Sequence, residues 1–241
     1  MADDRAAPEG PQQLPAAVPS HQVPAWLRRT EGEVRLPVVV AIVGAIVLQA
    51  VLPDQLAIRP RWLLPALEGA LLIGLTAFNP VRMNRTHPVA RAASLALTVL
   101  MTGANAASAA LLIRTILLGH GTENPTTLMG SGAAIYVTNV VAFALWYWEC
   151  DRGGPVDRAD ALDPHPDFLF PQIATPGIAH PDWEPTFPDY LYVSFTNATA
   201  FSPTDTLPLA RWAKLLMATQ SIIALATVAL VVARAVNVLG S

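Results

Sequence analysis

The chain has 241 residues, of which 53% are hydrophobic and only 14% charged, and its mean hydropathy is +0.41. This composition excludes an ordinary soluble domain and predicts an all-α protein that crosses the cell membrane several times. The net charge of −3 gives no indication of nucleic-acid binding, and a single cysteine, Cys150, excludes an intramolecular disulfide. The lipid bilayer is therefore its first expected partner.

The N-terminal region, residues 1–33, is expected to be a disordered tail. It is rich in Pro and Ala and opens with the acidic residues Asp3, Asp4 and Glu9. No basic stretch leads into an apolar run there, as it would in a signal peptide.

Five apolar segments follow, and each is predicted to be a transmembrane helix. A bilayer core of about 30 Å needs roughly 20 apolar residues per helix, so the first two segments are short. The segments are 36–52, 62–78, 94–118, 128–148 and 215–236. The first three belong to an N-terminal helical region, 34–127. The fourth ends in Trp146, Tyr147, Trp148 and Glu149, a pattern that indicates an aromatic belt close to the membrane surface.

Three polar residues interrupt these apolar segments, namely Glu68, Arg114 and Gln220. Ionisable groups at membrane depth mark functional sites by default. A simpler interpretation is a buried pair between Glu68 and Arg114, or an Arg114 side chain that reaches the interface. Both interpretations are open from sequence alone.

Residues 151–188 form a long segment rich in Pro and Asp, with neither a helical nor an alternating period. A loop of this length is predicted to be a cap over the surface. It repeats the tripeptide His-Pro-Asp at 165–167 and at 180–182, where imidazole beside carboxylate could bind a divalent metal. Because these ligands lack a defined helical or hairpin spacing, proline-rich turns are preferred, and neither a metal nor a cofactor is expected.

The most informative stretch is 189–211, just before the last apolar segment. Residues 189–199 are too few to cross a bilayer as a helix and too apolar for a solvated loop. A re-entrant half-helix fits this length. The backbone that follows it would then have to be shielded by protein or line a cavity.

Residues 189–199 resemble, without a gap, the pore helix of potassium-type channels, and Asp205 and Pro208 fall where those channels carry an Asp after the filter and a nearby Pro. The resemblance implies that residues 128–241 form a pore module. Segment 128–148 would be its outer helix, 151–188 its turret, 189–208 its re-entrant loop and 215–236 its inner helix. It further implies a homotetramer that passes small ions.

The selectivity filter departs from that family. In place of Thr-Val-Gly-Tyr-Gly the chain has Ala200, Phe201, Ser202, Pro203 and Thr204. The carbonyl cage of a potassium filter needs glycines at positive φ, so potassium selectivity is not implied. The hydroxyls of Thr199, Ser202 and Thr204 and the carboxylate of Asp205 would line the opening instead, and a ring of four carboxylates favours cations.

Four stretches after residue 60 carry a second resemblance, namely 61–68, 143–149, 165–172 and 194–209. In these stretches the chain is similar to a family of uncharacterised bacterial multi-pass membrane proteins, a domain of unknown function. This resemblance implies the inner membrane as the location and supplies no activity.

Two functions remain open from the sequence. One is an ion channel of unknown selectivity, and the alternative is a non-conducting scaffold or sensor whose loop is plugged by Phe201 and Pro203. An enzyme is not expected, because the sequence has no HExxH, no GxSxG and no paired carboxylates on one helix face.

The distribution of arginines predicts how the chain is oriented in the membrane. Arginines precede the first segment and join the second to the third, so with five crossings the loop would enter from the cytoplasm, opposite to potassium channels. Either the module is inverted, or one short segment does not cross, or the likeness is convergent.

Overall fold

The computed structural model describes residues 23–83, 87–118, 125–175, 177–200 and 205–239. It is 72% helical. The helices are α1 (Leu36–Val51), α2 (Leu63–Phe78), α3 (Pro88–Leu117), α4 (Pro125–Cys150), α5 (Pro155–Ala159), α6 (Pro171–Ala174), α7 (Phe187–Ala200) and α8 (Arg211–Leu239). Two short strands, β1 (Phe168–Leu169) and β2 (Leu207–Pro208), pair antiparallel. Apart from this pair, the described fold is helical, as the sequence predicts.

Three of the helices are long and apolar enough to cross a membrane. They comprise Pro88–Leu117, Thr126–Gly153 and Arg211–Asn237. Two shorter apolar helices, α1 and α2, have 16 residues each. All five coincide with the five apolar segments of the sequence, and each begins or ends within a few residues of its predicted boundary because the apolar run determines its length.

Helix α4 is the centre of the bundle and packs against α1, α3, α7 and α8. It is apolar on all sides, as expected of a helix surrounded by others. Close contact with α8 depends on Gly132, where a Cβ atom would lie 2.8 Å from Cγ2 of Val231. The glycine therefore sets the distance between the two helices at this point.

The start of α1, the end of α2, the start of α3 and the end of α4 all lie at one end of the bundle. A β-bridge joins Val34 to Arg82 there. At the same end, Arg91 of α3 makes a 3.1 Å ion pair with Glu149 of α4. We call this end the cap face, because residues 151–188 cover it.

The N-terminal segment lies on this cap. The Ala25 amide donates to the Pro181 carbonyl at 3.1 Å, and the Thr30 amide donates to the Ala159 carbonyl at 2.8 Å. Arg29 adds a 2.8 Å ion pair with Asp160. The predicted disordered tail thus includes residues 23–33, which the structure describes in contact with the cap, whereas residues 1–22 lie outside the described residues.

The expected aromatic belt at the end of α4 is wrong for Tyr147 and Trp148, which are buried. The Tyr147 ring lies 5.2 Å from that of Phe168, and the Trp148 ring lies 5.9 Å from that of Phe187. The cap folds over these rings and removes them from the surface. They form the aromatic part of the core.

Candidate functional site

Helix α7 enters the bundle from the cap face, and the chain returns to that face after it. At its start the Phe187 amide donates a hydrogen bond to the carboxylate of Glu33. After it, β2 pairs with β1 of the cap, and the Leu209 amide donates to the Asp167 carbonyl at 2.8 Å. Both flanks of α7 are therefore held on the same side of the molecule.

A buried polar cluster holds the inner half of α7 against α4 and α8; it consists of Tyr147, Ser194, Asn197 and Gln220, and we call it the α7 anchor. The amide Nε2 of Gln220 donates to the Ser194 hydroxyl at 2.6 Å, and the Ser194 hydroxyl donates to the Val140 carbonyl at 2.6 Å. The carbonyl Oε1 of Gln220 accepts from the Tyr147 hydroxyl at 2.6 Å and from Nδ2 of Asn197 at 2.8 Å.

Every member of the α7 anchor is at most 2% exposed. Gln220 uses both ends of its amide, which is what a buried side-chain amide needs in order to avoid a desolvation penalty. The cluster joins three helices that apolar packing alone would not orient uniquely. It gives the predicted intramembrane polar residue Gln220 a structural role as the junction of α4, α7 and α8.

The residues predicted to line a pore lie at and beyond the inner end of α7. Thr199 and Ala200 are exposed at the last turn, and the Thr199 hydroxyl donates to the Phe195 carbonyl at 2.8 Å. Asp205 is also exposed. The other predicted residues of this loop, Phe201, Ser202, Pro203 and Thr204, lie outside the described residues.

Glu68 and Arg114, the other predicted polar residues, are not brought together. Glu68 is fully buried in α2, and neither of its carboxylate oxygens makes a hydrogen bond to any described residue. The side chain of Gln49 on α1 lies beside Glu68 but forms no hydrogen bond with it. Arg114 is exposed, and no ion pair links it to Glu68 among the described residues.

A charged network under the cap holds the end of α4. Both oxygens of Glu149 are used, because the Ser94 hydroxyl donates to one and Arg91 pairs with the other at 3.1 Å. Arg158 donates to the carbonyls of Trp148 at 2.6 Å and Asp151 at 3.0 Å. Cations at the last carbonyls of a helix complement its dipole, so these arginines cap α4.

Glu33 extends this network to the N-terminal segment. Its carboxylate accepts from the Trp148 indole at 2.7 Å and lies 3.9 Å from the Arg158 guanidinium. Burial raises the pKa of Glu33, against the opposing effects of Arg158 and the Trp148 hydrogen bond. Burial alone would lower the pKa of Arg158, but the acidic groups around it, Tyr190, Asp151 and Glu33 among them, outweigh burial and raise it.

A second part of the network joins the cap to α7 and α8. The Tyr190 hydroxyl donates to Asp151, whose other oxygen accepts from the Asp167 amide at 2.9 Å. Asp167 in turn accepts from the Arg152 amide at 2.9 Å and from the Trp212 indole at 3.2 Å. The start of α7 and the start of α8 are thereby fixed to the same cap.

The first His-Pro-Asp triplet contributes its Asp167 to this network. Asp182 of the second triplet lies outside this network and pairs with Arg28 near the surface. His165 and His180 stay at the surface, with side chains 91% and 78% exposed. Among the described residues, no group of three His, Cys, Asp or Glu could hold a metal ion.

Sequence reasoning did not identify Glu33, Arg91, Glu149, Asp151, Arg158 or Tyr190 as a network. One signal was present, namely that acidic and basic residues flank the apolar end of α4 at 149–152 and 158. Their partners are distant along the chain, and no local period connects them.

The chain matches no protein-family model, and no curated protein or solved structure is significantly similar to it.

Proposed function

We propose that the protein is a homo-oligomeric, channel-like membrane protein in which α7 is a re-entrant half-helix. The observation that carries this proposal is the path of the chain around α7. The chain starts at Phe187, whose amide bonds to Glu33 on the cap face, reaches the α7 anchor inside the bundle, and is back at the cap in β2.

The dimensions agree with a half-helix. With 14 residues, α7 is about 21 Å long at 1.5 Å per residue, less than the roughly 30 Å of a bilayer core. Its contact residue Gln220 lies about 14 Å along α8 from the cap face, close to mid-membrane depth. α1 to α4 and α8 would be the five crossings.

Charge supports a cytoplasmic cap. Arg28, Arg82 and Arg91 all contact residues at the cap face. By the positive-inside rule this face is cytoplasmic, in the inner membrane of a bacterial cell. The half-helix would then enter from the cytoplasm, which makes the proposed module inverted relative to potassium channels.

One side of α7 remains uncovered in the single chain. Tyr192 and Phe195 are each 52% exposed, and Thr199 is exposed at the inner end. The last carbonyls of a helix have no partners within it, and lipid cannot hydrogen-bond to them. Four copies arranged around an axis would cover this side, line a path with Thr199, and bring four Asp205 carboxylates together for small cations.

The molar mass of the purified protein and its ion conductance in bilayers test this proposal. The detergent-purified protein is expected to be a tetramer by light scattering and to conduct cations in planar bilayers. Asp205→Ala should lower the single-channel conductance or the cation preference, while the matched change Asp163→Ala, on an exposed cap residue, should leave both unchanged. A monomer or dimer, or a folded tetramer without conductance, would contradict it.

The second candidate is a non-conducting scaffold or sensor with a plugged loop. It is favoured by the absence of filter glycines between Ala200 and Asp205. A silent tetramer whose cap binds a protein partner would support this candidate over the channel.

A further inference from the structure

A cavity of about 310 Å³ lies between α1, α2, α3 and α4, directly beneath the cap. One end of it is at the surface, beside the exposed residues His87 and Pro88, and the other end is deep in the bundle, at the buried Leu97. A volume of this size falls at the lower end of the range for small-molecule sites.

The walls of the deep part are aliphatic. They include Val38, Ile42, Leu72, Leu75, Leu97 and Leu145. An apolar cavity of this kind accepts a hydrocarbon chain and gives no partner to a polar group.

The outer part of the cavity is charged. It is lined by Arg35 at the start of α1, by Arg91 and Ser94 of α3, and by Glu149 of α4. Arg91 and Ser94 are already committed to Glu149, since Arg91 pairs with its carboxylate and also donates to its backbone carbonyl at 2.8 Å. Arg91 is thus the ion-pair partner of Glu149.

Arg35 is close enough to Glu149 to feel its charge, but it forms no ion pair with that carboxylate in the described part of the chain. Its Nε is buried and makes no hydrogen bond to any described residue, and none of the described ion pairs includes its guanidinium. Asp157 also lines the rim, yet it is not within ion-pair distance of Arg35 in the described part of the chain. A buried guanidinium nitrogen without an acceptor is a costly arrangement unless a ligand supplies one.

We propose that this cavity binds an anionic amphiphile, with its phosphate or carboxylate head on Arg35 and its acyl chain between the aliphatic walls. An anionic amphiphile matches both the charged outer part and the aliphatic deep part of the cavity. A free inorganic anion would leave the aliphatic part empty, and a neutral chain would leave Arg35 without an ion-pair partner. The position of the head group rests on the orientation proposed above, in which the arginine-bearing cap face lies at the anionic cytoplasmic leaflet, so that the head group is at the depth where such lipids present theirs.

The test uses the full chain in detergent, titrated with dioleoyl phosphatidylglycerol, dioleoyl phosphatidylcholine or oleate. Binding is followed by native mass spectrometry and by the rise in melting temperature that accompanies ligand binding. We expect phosphatidylglycerol or oleate to bind at least fivefold more tightly than phosphatidylcholine. Preference for the first would identify a lipid as the ligand, and preference for the second a free fatty acid.

Two pairs of variants distinguish binding in the cavity from non-specific lipid binding on the outer surface of the helices. Arg35→Gln should weaken binding at least fivefold, while Arg114→Gln, an exposed arginine in the last turn of α3, should not. Val38→Phe should narrow the cavity and obstruct the acyl chain, while Val43→Phe, 46% exposed on the same helix, should not. Arg35→Lys keeps the charge and should retain most of the affinity.

The proposal is overturned if Arg35→Gln and Arg114→Gln bind alike, or if phosphatidylcholine binds as tightly as the anionic probes. If Arg35→Gln fails to fold, Val38→Phe decides alone, and unchanged binding in a folded Val38→Phe protein equally overturns the proposal. None of these results depends on whether the protein conducts ions.

Discussion

The Tyr147 hydroxyl of α4 donates a 2.6 Å hydrogen bond to the Gln220 side chain of α8, and both residues are completely buried. Because the same Gln220 oxygen also accepts from Asn197, three helices share one acceptor. The Gln220 amide therefore connects the inner half of α7 to both neighbouring helices. This connection makes the α7 anchor the first place to test the structure.

Replacing Gln220 with Leu is expected to destabilise the protein by about 2 kcal/mol, because it leaves the Tyr147 hydroxyl and the Asn197 amide buried without an acceptor. The free energy of unfolding is measured by denaturant titration in mixed micelles. Thr219→Val is the control, since Thr219 is exposed and bonds only within its own helix, to the Leu215 carbonyl at 2.9 Å.

A double-mutant cycle between Tyr147→Phe and Gln220→Leu isolates the pair. We expect a coupling energy of about 1 kcal/mol, the range seen for hydrogen bonds between membrane helices. Strict additivity of the two single changes would contradict the hydrogen bond described here.

The five long or intermediate helices could be predicted from the sequence because hydropathy and length specify an apolar helix locally. The side of each helix that faces its neighbours could not be predicted in this way. The sequence predicts Gln220 as a polar residue at membrane depth, but it predicts Tyr147 as part of an interfacial belt, whereas the structure buries it. Since α4 is apolar on all sides, no apolar stripe indicates the face that turns toward α8. In addition, a tyrosine ring is as suitable at the membrane–water interface as in a protein core.

The charged network under the cap was beyond sequence reasoning for a different reason. Trp148 and Glu33 are 115 residues apart along the chain, and their contact exists only once the N-terminal segment folds onto the cap. Composition predicts a disordered tail over residues 1–33. Nothing in that composition distinguishes the part that supplies Glu33 from the part that precedes it.

Arg158→Met is predicted to cost about 3–5 kcal/mol of stability, because Arg158 is 5% exposed and its loss leaves Glu33 buried without its cation. Arg29→Met removes an ion pair whose arginine is 78% exposed, so it should cost less than about 1 kcal/mol. Melting temperature and limited proteolysis of the cap in detergent measure both. Equal losses in the two variants would mean that the Arg158 network contributes no more than a surface pair.

The pH dependence of stability should report on Glu33. Burial raises the pKa of its carboxyl above the ordinary 4.5, so the folded protein holds this proton more tightly than the unfolded chain does. The contribution is complete below pH 4.5 and is lost as the pH rises through the folded-state pKa. The stability of the wild type relative to Glu33→Gln should therefore fall as the pH rises above 4.5 through the folded-state pKa.

Melting temperatures across this range give the comparison, with Glu31→Gln as the control, since the Glu31 side chain is 83% exposed. The Glu31 variant should follow the wild type at every pH. An advantage that grows with pH would show instead that Arg158 and the N–H donors favour the ionised carboxylate more than burial opposes it.

The contact between α4 and α8 at Gly132 gives the last prediction. A Cβ atom there would lie 2.8 Å from Cγ2 and 3.0 Å from Cγ1 of Val231, a β-branched side chain that cannot rotate away cheaply within a helix. Gly132→Ala should cost about 1–3 kcal/mol through overpacking. Gly130→Ala, with nothing within 4 Å of its Cβ, should be neutral or slightly stabilising because alanine is the better helix former. Adding Val231→Ala to Gly132→Ala should recover part of the lost unfolding free energy, because the smaller side chain removes the clash. If the double variant loses as much stability as the two single variants together, the Gly132 effect does not come from this contact.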